Sequence, residues 1–349
     1  MTIFDLMQAP ALAAYWTELA QDEAPYVGQE LFPDDKKRGL TLKWIKGAKG
    51  LPVVLKNSAF DVHAIPRPRI GFSQMMSEMP YFKESMYIDE ELRQELNLVM
   101  ETGNQLYIDA VMNRVFDDEA QLLRGARATR ERMRMMALTT GAISLSSNGQ
   151  VYSMDYQVPA NHKGDAAVKW SDYANADPIE DIRLVKEQIM DESGVEITRG
   201  MMNSVTWRNL RRNQAIIEAI YVLAQGKIQS ISDATLRSYI REQVGIDIVL
   251  NDKRYTDETG ATVKFFPDNT FVLFPSGPLG KTWFGTTPAE SDLAGSAVAN
   301  VSIVDTGVAV TTTKHVDPVQ VETIVSMICM PSFEEADHVY IMDTEPAGA

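Results

Sequence analysis

The feature that most constrains this chain is an apolar stripe at helical spacing between residues 89 and 138. Leu92, Leu96, Val99 and Met100 fall at i, i+4, i+7 and i+8, and Ile108, Met112, Val115 and Phe116 resume the stripe. The spacing predicts one long, interrupted helix whose apolar face must be covered. Gly103 and Gly125 are the expected bends or weak points and Gly141 the expected stop. The second half of this helix carries Arg124, Arg127, Arg130, Arg132 and Arg134, with the acids placed mostly earlier, an order that suits the helix dipole. These arginines admit two readings. They contact acidic neighbours or nucleic acid, or they form a basic helix end paired with Glu119 and Glu131; the second is favoured because exposed pairs of that kind are common.

Two regions precede the helix. Phe4, Leu6, Met7, Leu12, Tyr15, Trp16 and Leu19, with Pro10 near the middle, predict two short amphipathic pieces, the proline sitting in the first turn of the second. So much apolar surface implies a partner, either the chain's own body or a neighbour. Residues 31–85 turn basic and β-branched with many Gly and Pro. Leu40, Leu42 and Trp44 alternate with Thr41 and Lys43, as in a half-exposed strand. A turn over 47–52 and a return strand at Val53, Val54 and Leu55 predict a long hairpin before the segment Ile65-Pro66-Arg67-Pro68-Arg69. A two-stranded hairpin is marginal alone in water, so this one is expected to rest on something else.

Downstream the pattern is α+β in two layers. A strand is expected at 151–158, and Asp177-Pro178 caps a helix carrying Ile179, Ile182, Val185 and Ile189 that ends at Gly194. Helices follow at 205–223 and 232–244, then strands at 246–250, 262–266, 271–274, 321–330 and 338–341. The last strands are expected to return to the first region, making it discontinuous. Residues 344–349 read as a loose tail.

At 349 residues with 45% hydrophobic content, the chain has enough apolar material for about two packed domains. A formal charge of −15 argues against a protein whose main task is gripping phosphates. Cys329 is the only cysteine, which excludes an intrachain disulfide and multi-cysteine zinc sites. No leader or membrane-spanning apolar run is read, so the expected product is soluble. The stretch 275–282 ends like a phosphate-binding loop, but Pro275 stands where that motif needs glycine. His63, His162, His315 and His338 lack any metal-ligand spacing, and Asp34-Asp35 and Asp117-Asp118-Glu119 read as solvated faces. No Gly-x-Ser-x-Gly elbow is present. Neither an enzyme nor a cofactor is asked for.

A set of short segments in fixed order resembles the phage major capsid protein E family. They are Leu31-Phe32-Pro33, the stretch from Arg69-Ile70-Gly71-Phe72 to Met79-Pro80, Arg130-Glu131-Arg132-Met133 leading to Leu138-Thr139-Thr140-Gly141, Tyr255-Thr256-Asp257, Phe266 to Pro275, and Gly280 to Glu290. The resemblance spans most of the chain and implies the tailed-phage major capsid protein fold, in four parts: an N-terminal arm (1–30), an extended β-hairpin loop (31–85), a peripheral domain with a long spine helix (86–175 plus 319–349) and an axial domain (176–318). It implies hexamers and pentamers closing an icosahedral head shell around double-stranded DNA, located in the virion and assembled in the host cytoplasm. In that family the hairpin loop lies over the neighbouring subunit. The implied partners are copies of the chain itself, non-specifically packaged DNA, a portal and a decoration protein, with no membrane. A separate scaffolding protein is also expected, because only about 30 residues precede the hairpin, where relatives that carry their own scaffold have a long extension. Trp44, Lys46, Lys49, Arg124, Arg127 and Arg130 are the candidate subunit-contact residues. Some relatives cross-link Lys to Asn; Lys46, Lys49 and Lys56 lie in the loop, but no catalytic Glu or Asn is identifiable.

Two other readings compete. One is a nanocompartment shell with the same architecture and an enzyme cargo; the other is a cytosolic hydrolase using scattered Asp and His residues.

Overall fold

The computed structural model describes residues 8–46, 73–101, 105–221, 230–295 and 299–346. The predicted turn at 47–52, the return strand at 53–55, Gly103, Lys49, Lys56 and His63 lie outside the described residues.

The chain opens with helix α1 (Ala9–Asp22), where Pro10 occupies the first turn and costs no hydrogen bond, and the short helix α2 (Val27–Leu31). Strands β1 (Asp34–Lys36), β2 (Thr41–Lys46), β3 (Ser73–Glu78) and β4 (Tyr81–Ile88) follow. Strand β2 alternates exposed and buried residues, with Leu42 and Trp44 inward as expected but also Lys46 inward and Ile45 outward, and its partner among the described residues is β3. Next come α3 (Glu90–Glu101) and α4 (Gln105–Thr140). The 36 residues of α4 span roughly 54 Å at the usual helical rise. The helix runs unbroken through Gly125, where a bend was expected. A glycine there costs only about 1 kcal/mol against alanine, which the packing of neighbouring turns outweighs. The helix stops at Gly141, whose φ of 71° is the left-handed conformation that glycine adopts without strain.

Then follow the hairpin β5 (Ala142–Ser147) and β6 (Gln150–Asp155), closed by Asn148 and Gly149 at φ 51° and 71°. After β7 (Lys163–Asp165) comes α5 (Pro178–Ser193), capped by the Asp177 carboxylate accepting from the Glu180 amide and ended by left-handed Gly194. Beyond β8 (Ile197–Met202) the single helix expected over 205–223 is two helices, α6 (Ser204–Arg212) and α7 (Gln214–Ile220). Asn213 separates them: its side-chain oxygen accepts from the Ile216 amide and caps α7, while its amide donates to the Ala176 carbonyl. Helix α8 (Asp233–Val244) is capped by Ser232 and stopped by Gly245. The rest is β: β9 (Asp247–Leu250), β10 (Arg254–Thr256), β11 (Thr262–Lys264), β12 (Thr270–Pro275), β13 (Thr282–Phe284), β14 (Ala299–Val304), β15 (Val308–Val316), β16 (Val319–Pro331) and β17 (Tyr340–Asp343). No described helix is long and apolar enough to cross a membrane.

Two compact units emerge, each discontinuous in sequence. The first comprises residues 1–42, 76–134 and 281–332, and the second residues 43–75, 135–280 and 333–349. These boundaries differ from the four-part division read from the sequence, for a topological reason. In the first unit β16, 13 residues long, pairs with β15 along 319–327, with β4 along 321–328 and with β13 at 329–331. That ladder binds residues 281–332 to the stretch leading into α3 and α4. The N-terminal helices belong to the same unit, with Leu12 and Trp16 only 1% exposed. The apolar side of α1 is therefore covered by the chain's own body, while Phe4, Leu6 and Met7 lie outside the described residues. A small cluster of Ile88, Leu96, Met112, Val115 and Val321 buries the predicted helical stripe against the sheet.

The second unit is built on a five-stranded sheet in the order β7-β17-β12-β8-β9, in which β7 pairs parallel to β17 and β9 parallel to β8. Central β12 is buried on both faces, which is why Phe271-Val272-Leu273-Phe274 reads as a continuous apolar run. Ile182 and Ile189 of α5, Trp207 of α6 and Ile240 of α8 pack in one core with Phe271 and Leu273.

Candidate interaction site

Within the first unit, one face of α4 carries a ladder of alternating charges. Arg124, Arg127, Arg130 and Arg134 recur at helical spacing, so their side chains stack along one side. Arg124 Nε donates to Glu23 at 2.7 Å, and Arg127 lies 3.8 Å from the same carboxylate. Arg127 also donates to Asp305 at 3.0 and 3.1 Å. Arg130 joins Asp305, at 2.6 Å, to Asp34, at 3.3 Å. Arg134 donates to Asp34 and, at 2.8 Å, to the Thr282 hydroxyl. Glu131 accepts from the Gly28 amide at 3.0 Å. The helix thus holds α1's end through Glu23, α2 through Gly28, β1 through Asp34 and the β14–β15 turn through Asp305.

Depth varies along the ladder. The side chains of Arg130 and Arg134 are 4% exposed, whereas that of Arg124 is 32% exposed. Arg127 lies over the Trp16 ring at 4.5 Å from its centroid, and the indole N–H reaches Asp305 at 3.4 Å. Asp305 is held down to about 2: burial alone would raise it, but the hydrogen bond from Arg127 and the charge and hydrogen bond of Arg130 outweigh burial. Burial lowers the Arg134 guanidinium from its ordinary value, opposed by the charges of Asp34 and Glu131. A polar cavity of about 160 Å³ lies along the ladder, lined by Tyr26 and Gln29 as well as by the arginines and their carboxylates.

The intrahelical reading of the arginines changes here in part. Of the helix's own acids Glu131 does pair with Arg134, at 3.7 Å, but Arg124, Arg127 and Arg130 meet acids distant in sequence. Of the acidic run, Asp34 is drawn inward and bridges two arginines, whereas Asp35 stays on a solvated face, 41% exposed, and pairs with Lys281 at 2.7 Å, which together with a hydrogen bond holds its carboxyl below the usual range. Sequence reasoning missed Glu23 and Asp305. Asp305-Thr306-Gly307 carries a turn signal, and Asp305 has a φ of 43°, but a turn signal does not say what its carboxylate meets.

Trp44 and Lys46 lie in the second unit, on the buried face of β2. The Trp44 ring approaches Tyr156 at 5.9 Å, and Tyr156 meets Phe333 edge-on at 5.7 Å. Lys46, 8% exposed, pairs with Asp337 at 2.8 Å and donates to the Gln157 carbonyl. The structure does not bring Trp44 and Lys46 together with the arginines in one unit.

Lys281 and Thr282, which end the phosphate-loop lookalike, are engaged by Asp35 and by Arg134 and Phe32. The described histidines each meet a carboxylate: His162 with Glu192, His315 with Glu322 and His338 with Glu335, at 2.7 to 2.8 Å. No metal-holding group of His, Cys, Asp and Glu occurs among the described residues. Cys329 is buried, and burial pushes its thiol up to about 12.

Comparison with known proteins follows this geometry. No curated protein matches the sequence. The structure resembles the putative capsid protein of a prophage from E. coli CFT073, with a TM-score of 0.60 at 16% identity, covering 97% of this chain and 99% of that one. It also resembles a phage-related protein from Bordetella bronchiseptica RB50, with a TM-score of 0.57 at 15% identity, covering 97% and 98%. The cyanophage A-1(L) capsid asymmetric unit follows at 0.52 and 12% identity, covering 93% of each chain. At these identities the likeness shows the fold, which is that of tailed-phage capsid subunits. Residues 8–343 match the family described as phage major capsid protein E, so the chain belongs to that family and is a structural subunit of a bacteriophage head, built from copies of itself.

Proposed function

We propose that this chain forms hexamers and pentamers that close an icosahedral head around double-stranded DNA, with assembly in the host cytoplasm directed by a separate scaffolding protein. Family membership over residues 8–343 carries the shell role. The observation that supports a separate scaffold is the placement of residues 9–31. Their helices are folded into the first unit by buried Leu12 and Trp16 and by the ion pairs of Glu23, so they are committed to the subunit itself. A portal and a decoration protein complete the partners of this reading. The packaged DNA is met non-specifically, and a net charge of −15 keeps it from adhering to the wall.

In this reading the loop within 31–85 lies over the neighbouring subunit, residues 176–318 form the axial domain, and residues 86–175 with 319–349 form the peripheral domain. Arg124, the most exposed of the three candidate arginines, is the one open to a neighbour's acid. Trp44, Lys46, Arg127 and Arg130 act from within, by fixing the surfaces that meet. Closed shells need the same surfaces to make many weak contacts at once, so rigid units joined by adaptable loops suit the task.

The test is expression of the chain alone and together with its genomic neighbours, followed by sedimentation and electron microscopy. Irregular shells, tubes or free capsomers alone, and closed heads of one size with a neighbour, are the expected result. Uniform heads from the chain alone overturn the scaffold, and a fixed monomer or dimer under all conditions overturns the capsomer reading.

A further inference from the structure

Helix α4 meets β16 through a group that the ion-pair ladder does not use. Glu119 is 3% exposed, and its carboxylate accepts one hydrogen bond, from the Thr323 hydroxyl at 2.8 Å. Around it are Val115 of the same helix and the cluster containing Met112, Ile88 and Val321. Among the described residues no cation pairs with it. Arg93 of α3, the helix that shares this cluster through Leu96, donates to the Val319 carbonyl. Asp117 and Asp118, on its own helix, are exposed, and Asp117 accepts from Tyr15 of α1. By strand register Glu84 of β4 and Lys314 of β15 share the sheet face that carries Thr323, and both are exposed. Val321 and Val325, the other β16 residues on that face, do not titrate.

A carboxyl so placed has two states that differ sharply in cost. Neutral, it is a buried polar group with a hydrogen bond; ionised, it is a buried charge without a counter-charge, which a helix and a sheet tolerate only by admitting water or moving apart. We propose that Glu119 is a proton-controlled joint between helix α4 and strand β16: protonated it lets the two pack, and ionised it loosens them. Burial, opposed only by the Thr323 hydrogen bond, raises this carboxyl to about 7, so the joint changes state near neutral pH. The ladder on the same helix does not, since Asp305 keeps its charge down to about 2. One helix thus carries a grip that is constant across neutral pH and another that is not. This inference concerns the subunit itself and stands apart from the scaffold and capsomer reading.

The experiment is hydrogen exchange by mass spectrometry on the full chain between pH 5.5 and 8.5, corrected for intrinsic exchange, with Glu119→Gln and Thr323→Val alongside. In the wild type, protection of peptides covering 112–123 and 319–327 is expected to fall about tenfold through neutrality, a change of about one pKa unit's worth of free energy. In Glu119→Gln that fall is absent. In Thr323→Val, which removes the only bond favouring the charged form, its midpoint moves to higher pH. A fall that persists in Glu119→Gln, or no fall in the wild type, overturns the proposal. Should Glu119→Gln not fold, an unmoved midpoint in Thr323→Val overturns it equally.

Discussion

The Arg130 guanidinium meets the Asp305 carboxylate at 2.6 Å across a sequence separation of 175 residues, and the same guanidinium reaches Asp34. One side chain of α4 therefore joins a strand near the N-terminus to a turn near the C-terminus. Removing one member of a buried pair leaves the other charged and unpaired, which costs about 3–5 kcal/mol. Arg130→Ala leaves Asp305 to Arg127 and Asp34 to Arg134, so it is expected to cost less than that, about 2–3 kcal/mol in denaturant unfolding, and Arg130→Met, which fills the space, somewhat less still. A double-mutant cycle with Asp305→Asn is expected to show strong coupling, because the two residues share one network.

Asp305 also sets an acid limit. Its pKa is lowered in the folded state, so its contribution is fully present above about 4 and is lost as pH falls through about 2. The difference from the ordinary carboxylate value corresponds to about 2 kcal/mol. Unfolding curves between pH 2 and 5 are expected to show a loss in the wild type that Asp305→Asn lacks.

Glu119 has the opposite sign. Its pKa is raised to about 7 from 4.5, so the folded state binds the extra proton and stability falls as pH rises through that window. The cost is complete above about 7 and amounts to about 3 kcal/mol. Glu119→Gln is expected to match the wild type near pH 4 and to exceed it by about 1–3 kcal/mol at pH 8. Thermal melts at the two pH values check this.

Within the N-terminal segment, apolar burial outweighs the ion pairs. Trp16→Ala removes a fully buried indole and is expected to cost about 3–5 kcal/mol. Glu23→Ala, with its carboxylate 34% exposed, is expected to cost less than about 1 kcal/mol. Limited proteolysis near residues 23–26 then separates the two: rapid cleavage in Trp16→Ala and near wild-type resistance in Glu23→Ala.

Trp44 and Lys46 offer a test of where they act. Both are buried within a single chain, so Trp44→Ala is expected to destabilise dissociated subunits by about 3–5 kcal/mol. Melting of subunits held apart at low concentration checks this; unchanged melting would assign Trp44 to subunit contacts alone.

Much of the fold was legible because it depends on neighbours in sequence. The cap Asp177, the stops Gly141, Gly194 and Gly245, and the β12 run each reflect a local rule of backbone geometry or burial. The break at Asn213 was not legible, because the apolar period continues across it and the cap depends on Asn213 also reaching Ala176. The arginine spacing was plain as well, but apart from the pair of Arg134 with Glu131 its partners are acids the helix does not carry. Spacing along one helix ranks only the pairs that helix can make with itself.

By itself, then, the sequence determined most of the helices, the stripe on α4, the α+β class and, through the order of its short segments, the capsid family, but not β8 or the β14–β15 hairpin. Tertiary structure alone decided that Glu23, Asp34 and Asp305 converge on one row of arginines, that the N-terminal helices cover their apolar side on the chain's own body, and that Glu119 lies buried without a cation among the described residues. The physical reason is range. Helix caps, turns and amphipathic periods act over a few residues, whereas burial and ion pairing are set by which strands β16 brings together from across the chain.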